Sequence, residues 1–131
     1  MPLPKLLARW VAQERACEID GHYLESDATP AQIAGIIVHE AVHARLHACG
    51  IPYDDRTAAR VERLCFLSQR SFGERLPDPV VVEDADIGLA LGPETWTPAA
   101  ARKRTIATLR DLGTWPWLVR FYSWLTGRRA A

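Results

Sequence analysis

The chain has 131 residues, enough for one domain with a core of its own. It is 48% hydrophobic and 24% charged, and its 16 basic and 16 acidic residues cancel. That balance gives no bulk electrostatic reason to expect nucleic acid or a lipid surface as partner, and no stretch approaches the length of a transmembrane span.

Three cysteines, Cys17, Cys49 and Cys65, are an odd number without close spacing. They do not read as a disulfide framework, and the absence of C-x-x-C argues against a cysteine-based structural zinc site. The opening Met1-Pro2-Leu3-Pro4-Lys5 lacks the apolar run of a signal peptide. The expectation is a cytoplasmic protein.

In chain order, Lys5 to about Ala16 is expected as a short packing helix, with Leu6, Leu7, Trp10 and Val11 on one side. Asp20-Gly21 is a hairpin turn signal, which puts Ile19 and the Tyr23-Leu24 pair on flanking strands. The free edge of such a ribbon is either an ordinary edge or a place where an extended substrate backbone pairs. His22 and Tyr23 could face a site from there, although a lone histidine in a turn is more often simply solvated.

Thr29-Pro30-Ala31-Gln32 has the marks of a helix start: a hydroxyl cap, proline at the first position and an amide in the first turn. Ile33, Ile36, Ile37 and Val38 carry the helix into His39-Glu40-Ala41-Val42-His43. In a helix, two residues four apart share a face, so both imidazoles can reach one metal ion. Glu40 stands about 100° further round, better placed beside a water than as a third ligand. H-E-x-x-H on a helix is therefore the pattern of a zinc hydrolase, in which two histidines hold the ion and the glutamate works on the water. The bland alternative is two surface histidines on an amphipathic helix. His47 continues the row, but it lies about 12 Å along the axis from His39 and cannot share an ion with both. It is expected to be exposed, or to face substrate. Leu46 and Cys49 occupy the positions that a glycine and a third histidine hold in the longer H-E-x-x-H-x-x-G-x-x-H motif. A third ligand must come from elsewhere. Gly50 and Pro52 end the helix.

Asp54 or Asp55 is expected to cap the next helix, from Thr57 to about Arg75, in which Val61, Leu64, Cys65, Ser68 and Phe72 recur at helical steps. Glu62 lies on its Ala58, Cys65 and Gln69 side. The intervening chain is long enough to return Glu62 over the two histidines, and a catalytic zinc usually needs a third protein ligand. The alternative is one more surface glutamate between Arg60 and Arg63.

Three segments together resemble small bacterial zinc-peptidase-like domains of the gluzincin group, the minigluzincins. They are Val38 to Leu46 (Val-His-Glu-Ala-x-His-Ala-Arg-Leu), Gly50 to Tyr53 (Gly-Ile-x-Tyr) and Arg60 to Cys65 (Arg-Val-Glu-Arg-x-Cys). The likeness covers about residues 20 to 76. It implies that His39, His43 and Glu62 bind one Zn²⁺ and that Glu40 is the general base and acid. The chain departs from the group in one respect: where larger gluzincins carry an acidic residue that orients the first histidine, it has Phe66. A backbone carbonyl or Gln69 would have to take that role. No counterpart of the oxyanion-stabilising His or Tyr of larger members is evident.

Val80-Val81-Val82 is strand-like, with a helical stretch possible over Glu83 to Leu91, and Thr97-Pro98 opens a basic helix to about Leu112. Arg102, Lys103, Arg104 and Arg110 read as a solvated face, or as a face for phosphate or an acidic partner. The Trp115 to Leu125 segment is aromatic-rich and too short to span a bilayer. It is expected to dock on the core, with a membrane-surface contact or a cover over the cleft as alternatives.

The expected architecture is a single α+β domain over 1–131, dominated by helices: a zincin-like helix pair with a small antiparallel hairpin or edge strand. Its core spans about 17–76, and a helical extension about 77–131. The expected function is a zinc-dependent metallopeptidase acting on a peptide or protein, with Tyr23 and His47 as candidate substrate contacts. The alternative is a zinc-binding, non-hydrolytic sensor or interaction module.

Overall fold

A computed structural model describes residues 7–111, 113 and 115–128. The fold is α+β and dominated by helices, with one two-stranded antiparallel sheet among the described residues.

Strand β1 (Ala8–Val11) pairs with β2 (Ala16–Ile19), placing Trp10 opposite Cys17 and Arg9 opposite Glu18. Over its described part, the expected packing helix up to Ala16 is instead strand β1, the turn after it and the first residue of β2. Side chains alternate across the ribbon. Ala8 is buried, while Arg9 reaches across to Glu18 at 2.6 Å on the wet face. The hairpin turn is also displaced from Asp20-Gly21. It lies over residues 12–15, closed by Glu14 N–H to the Val11 carbonyl at 3.2 Å, with Arg15 at φ 51°. Asp20 instead accepts from the Tyr23 amide at 3.0 Å and caps a single helical turn, α1 (Gly21–Leu24). An aspartate before glycine serves a hairpin or a helix cap equally well, and here the cap wins.

Helix α2 (Pro30–Ala48) starts as its sequence announces. Thr29 Oγ1 accepts from the Gln32 amide at 3.2 Å, and Gln32 Oε1 accepts from the Thr29 amide at 3.0 Å, a reciprocal capping box. It ends with Gly50 at φ 76°, Gly50 N–H bonded to the His47 carbonyl and Ile51 N–H to the Leu46 carbonyl. These are the paired closing bonds of a glycine-terminated helix.

Helix α3 (Ala58–Gly73) returns along α2 and buries Ala58, Val61, Glu62, Cys65 and Gln69. Helix α4 (Val80–Ala90) packs on both and buries Val81, Ala85 and Gly88. That i, i+4, i+7 spacing is helical, so Val80–Val82 forms a first turn rather than a strand. A local β-branched run gives way because Gly35 and Gly73 open a seat for Val81. A Cβ on Gly35 would lie 2.8 Å from Val81 Cγ1. Arg70 on α3 donates to Asp86 on α4 at 2.8 Å and also pairs with Glu74.

A 3₁₀ turn (Pro93–Trp96) leads to α5 (Pro98–Asp111) and α6 (Pro116–Arg128). Helix α6 buries Val119 and leaves Trp117, Phe121 and Trp124 more than half exposed, as is Trp115 just before it. Among the described residues, no helix is long and apolar enough to cross a membrane.

Candidate metal centre

The capping box at Thr29 fixes the start of α2, and therefore the rotation at which its middle meets α3. His39 and Glu40 are buried, and the ring centroids of His39 and His43 are 5.2 Å apart. From α3, Glu62 turns its carboxylate between the two rings. Oε2 lies 3.1 Å from His39 Nε2, and Oε1 lies 3.3 Å from His43 Nε2. Two imidazoles and a carboxylate bound to one four-coordinate ion at about 2.0–2.1 Å would stand roughly 3.3 Å from one another. One Glu62 oxygen stands at about that spacing from each imidazole nitrogen. Cys65, one turn beyond Glu62, lies close by. His39, His43 and Cys65 place one donor atom each within 4.8 Å of one another and form a group that could hold a metal ion.

Glu40 is 6% exposed, and its Oε2 has no hydrogen-bond partner among the described residues. The carboxylate accepts from the backbone N–H of Trp10 on β1. A buried carboxylate oxygen left bare costs free energy unless something occupies the space in front of it.

The electrostatics follow from this crowding. Burial alone would raise the Glu62 carboxyl, but the two hydrogen-bonded imidazoles outweigh it and hold the group at about 2. Burial alone would depress His43. The hydrogen bond and charge of Glu62, with Glu40 adding, turn the net shift upward. Burial pushes the Glu40 carboxyl up against the lowering pull of His43 and His39. The Cys65 thiol is pushed up by burial and then by Glu62 and Glu40, so it stays protonated.

Two aromatic contacts and one hydrogen bond hold these three side chains. Phe66 meets the His39 ring edge-on, with centroids 4.5 Å apart, and Trp96 backs Phe66 at 5.4 Å. The Tyr53 hydroxyl donates to Glu62 Oε1 at 2.8 Å, and its ring lies edge-on to His43. The loop that carries Tyr53 is locked by Asp54, which accepts from the Arg56 and Thr57 amides, and by Thr57 Oγ1 donating to the Pro52 carbonyl. Gln69, expected as one stand-in for the missing acidic residue, makes no hydrogen bond to either histidine.

The site opens into a cleft of about 920 Å³. Its walls come from β1, α2, α3, α4 and α5, and Tyr23 and His47 both line it. His22 is exposed and is not part of the lining. Three contributors escaped the sequence reading. Tyr53 is part of the Gly-Ile-x-Tyr segment, but only the fold brings it to Glu62. Trp10 could not be placed while its segment was read as a helix. The Cys65 thiol became a possible donor only once the two histidines stood beside it.

Compared with protein-family models, curated proteins and solved structures, the chain matches none.

Proposed function

We propose that this protein is a zinc-dependent peptidase of gluzincin type, in which His39, His43 and Glu62 hold the ion and Glu40 is the general base and acid. The observation that carries the reading is the Glu62 carboxylate at 3.1 and 3.3 Å from the two imidazole nitrogens, with the bare Oε2 of Glu40 beside it. Imidazole nitrogens with one carboxylate suit zinc, and three protein ligands leave a fourth position open, as a catalytic ion needs. Glu62 is preferred to Cys65 as third ligand. It is already ionised, whereas the thiol would have to lose its proton against two neighbouring carboxylates.

When bound, zinc supplies Lewis acidity at this point, which acidifies water and polarises a carbonyl. The remaining work falls to the chain. Glu40 Oε2 takes the proton of the attacking water and returns it to the leaving amine nitrogen. Its upward-shifted carboxyl suits both directions of transfer better than an ordinary surface glutamate. Phe66 and Trp96 keep the wall beside His39 dry. Strand β1 lines the cleft with one edge unpaired by β2, so an extended peptide can add to it by main-chain hydrogen bonds.

A second reading is a zinc-binding module that does not hydrolyse. Tyr53, the hydroxyl beside the ligands, donates to Glu62 rather than standing free for an oxyanion, and this favours that reading.

The test is cleavage of a quenched-peptide library by zinc-loaded wild type, Glu40→Gln and Glu62→Ala, with zinc content measured in each. The peptidase reading expects Glu40→Gln to keep zinc and lose about 10²–10⁴-fold in rate, and Glu62→Ala to lose zinc. Equal rates in wild type and Glu40→Gln would falsify the role of Glu40, and zinc-loaded wild type that cleaves nothing leaves the binding module.

A further inference from the structure

One end of the cleft is polar. Gln32, Gln69, Asp84 and Tyr23 all line it. Gln32 lies seven residues before His39, about 10 Å along the α2 axis.

Asp84 is half-buried and is held in a defined orientation. Gln32 Oε1 is committed to the Thr29 amide of the capping box, which turns its Nε2 outward to donate to Asp84 Oδ2 at 3.0 Å. The cap that starts the ligand helix therefore also aims a carboxylate into the cleft. No basic side chain among the described residues lies within ion-pair distance of Asp84. Three arginines line the cleft: Arg9 pairs with Glu18, Arg104 donates to the Thr95 carbonyl, and Arg102 forms no ion pair with Asp84.

Gln69 is 5% exposed as a residue and lines the cleft without a side-chain hydrogen bond to another described residue. Its amide is not sealed off from the cleft, so it can bond a ligand that enters there. The negative field of Asp84 reaches Tyr23, whose phenol is pushed up first by burial and then by that carboxylate. These groups together offer acceptors and a net negative charge, complementary to a cation that carries N–H donors.

We propose that this end of the cleft is a subsite for a cationic hydrogen-bond donor of the substrate, a lysine or arginine side chain or a free α-amine, held by the Asp84 carboxylate and the Gln69 amide oxygen. The proposal rests on the peptidase reading for the identity of the substrate as a peptide. At about 3.3 Å per residue of extended chain, the subsite lies within about three residues of the reacting bond.

Binding tests this without turnover. N-acetylated octapeptides carrying a single Lys at each position in turn, with norleucine and Glu as comparators, are titrated against zinc-loaded Glu40→Gln by fluorescence anisotropy. A parallel set has free N-termini. The expected result is one position at which Lys binds about tenfold or more tighter than norleucine, with the preference falling to about twofold or less when Asp84→Asn is added. Asparagine still accepts from Gln32, so the local fold is kept, and zinc content and thermal unfolding check that it is. Asp84→Lys should reverse the preference toward Glu, and Gln69→Leu should weaken it. A preference seen only with free N-termini assigns the site to an α-amine, and one seen with blocked peptides assigns it to a side chain. The proposal is overturned if no position separates Lys from norleucine with either terminus, including because nothing binds, or if Asp84→Asn keeps the full preference. Cleavage by wild type without basic preference defeats this inference alone. A basic preference without cleavage defeats the hydrolase reading alone.

Discussion

The Tyr53 hydroxyl donates to Oε1 of Glu62 at 2.8 Å, while the same carboxylate faces His39 and His43 through both of its oxygens. The phenol comes from a loop and the carboxylate from the helix that follows, so the loop sets the carboxylate's rotation. Tyr53→Phe removes that bond and keeps the ring against His43. It should lower zinc affinity about 10- to 100-fold with little change in fold. Competition titration against a chromophoric chelator at fixed pH measures this, and an unchanged affinity removes Tyr53 from the support of the site.

Glu62 and Cys65 both stand near the histidine pair, and their variants separate them. Glu62→Ala should abolish tight zinc binding, whereas Cys65→Ser should retain it. Cobalt-substituted wild type should lack the near-ultraviolet charge-transfer band that a thiolate ligand produces. A strong band that disappears in Cys65→Ser would make the cysteine the third ligand.

Much of this site could be read from residue order alone, because its parts are local. The cap at Thr29, the four-residue step from His39 to His43 and the stop at Gly50 all lie within one helix, where period and capping chemistry suffice. Glu62 needed only the assumption that the next helix folds back. The hairpin was misplaced for a physical reason. Leu7, Trp10 and Val11 fit a short helix as well as a strand, and Asp20-Gly21 suits a cap as well as a turn. Tertiary contacts decided both. The Trp10 amide reaches Glu40 only if its segment is extended, and Val80–Val82 became helical because glycines on two other helices receive Val81. Tyr53 and Asp84 were illegible as site residues because their partners are fixed by how helices and loops pack, which no short-range pattern records.

Gly88 on α4 faces the Phe66 ring so closely that an added Cβ would overlap it. Phe66 cannot retreat freely, because its ring also touches His39 and Trp96. Gly88→Ala should cost about 1–3 kcal/mol of stability, or very roughly 3–6 °C of Tm per kcal/mol. It should also weaken zinc binding by displacing the His39 ring. Calorimetry and zinc titration read the two effects. A fall in Tm with zinc affinity intact would mean that Phe66 yields away from the histidine.

Acid and base should act on the site in opposite directions with and without metal. In the metal-free protein the His43 pKa lies above 6.5 because Glu62 outweighs burial. Its protonated form is favoured by folding, so that stabilisation is complete below pH 6.5 and is lost as pH rises through the raised value. The Glu40 carboxyl, also raised, acts with the same sign: its contribution is complete below its ordinary 4.5 and lost as pH rises through its folded value. Glu62, held at about 2 against an ordinary 4.5, contributes stability above pH 4.5 and loses it as pH falls toward 2. Zinc competes with the proton for the imidazole, so metal binding strengthens as His43 deprotonates. With a chelator present, Tm should therefore fall by a few degrees as pH rises from about 6 toward 8.5, and drop again in strong acid. With saturating zinc, Tm should rise over the same neutral span. Thermal unfolding across pH 3 to 8.5, with and without zinc, checks both limbs. A metal-free Tm that climbs between pH 6 and 8.5 would show that the His43–Glu62 contact does not stabilise the protonated imidazole.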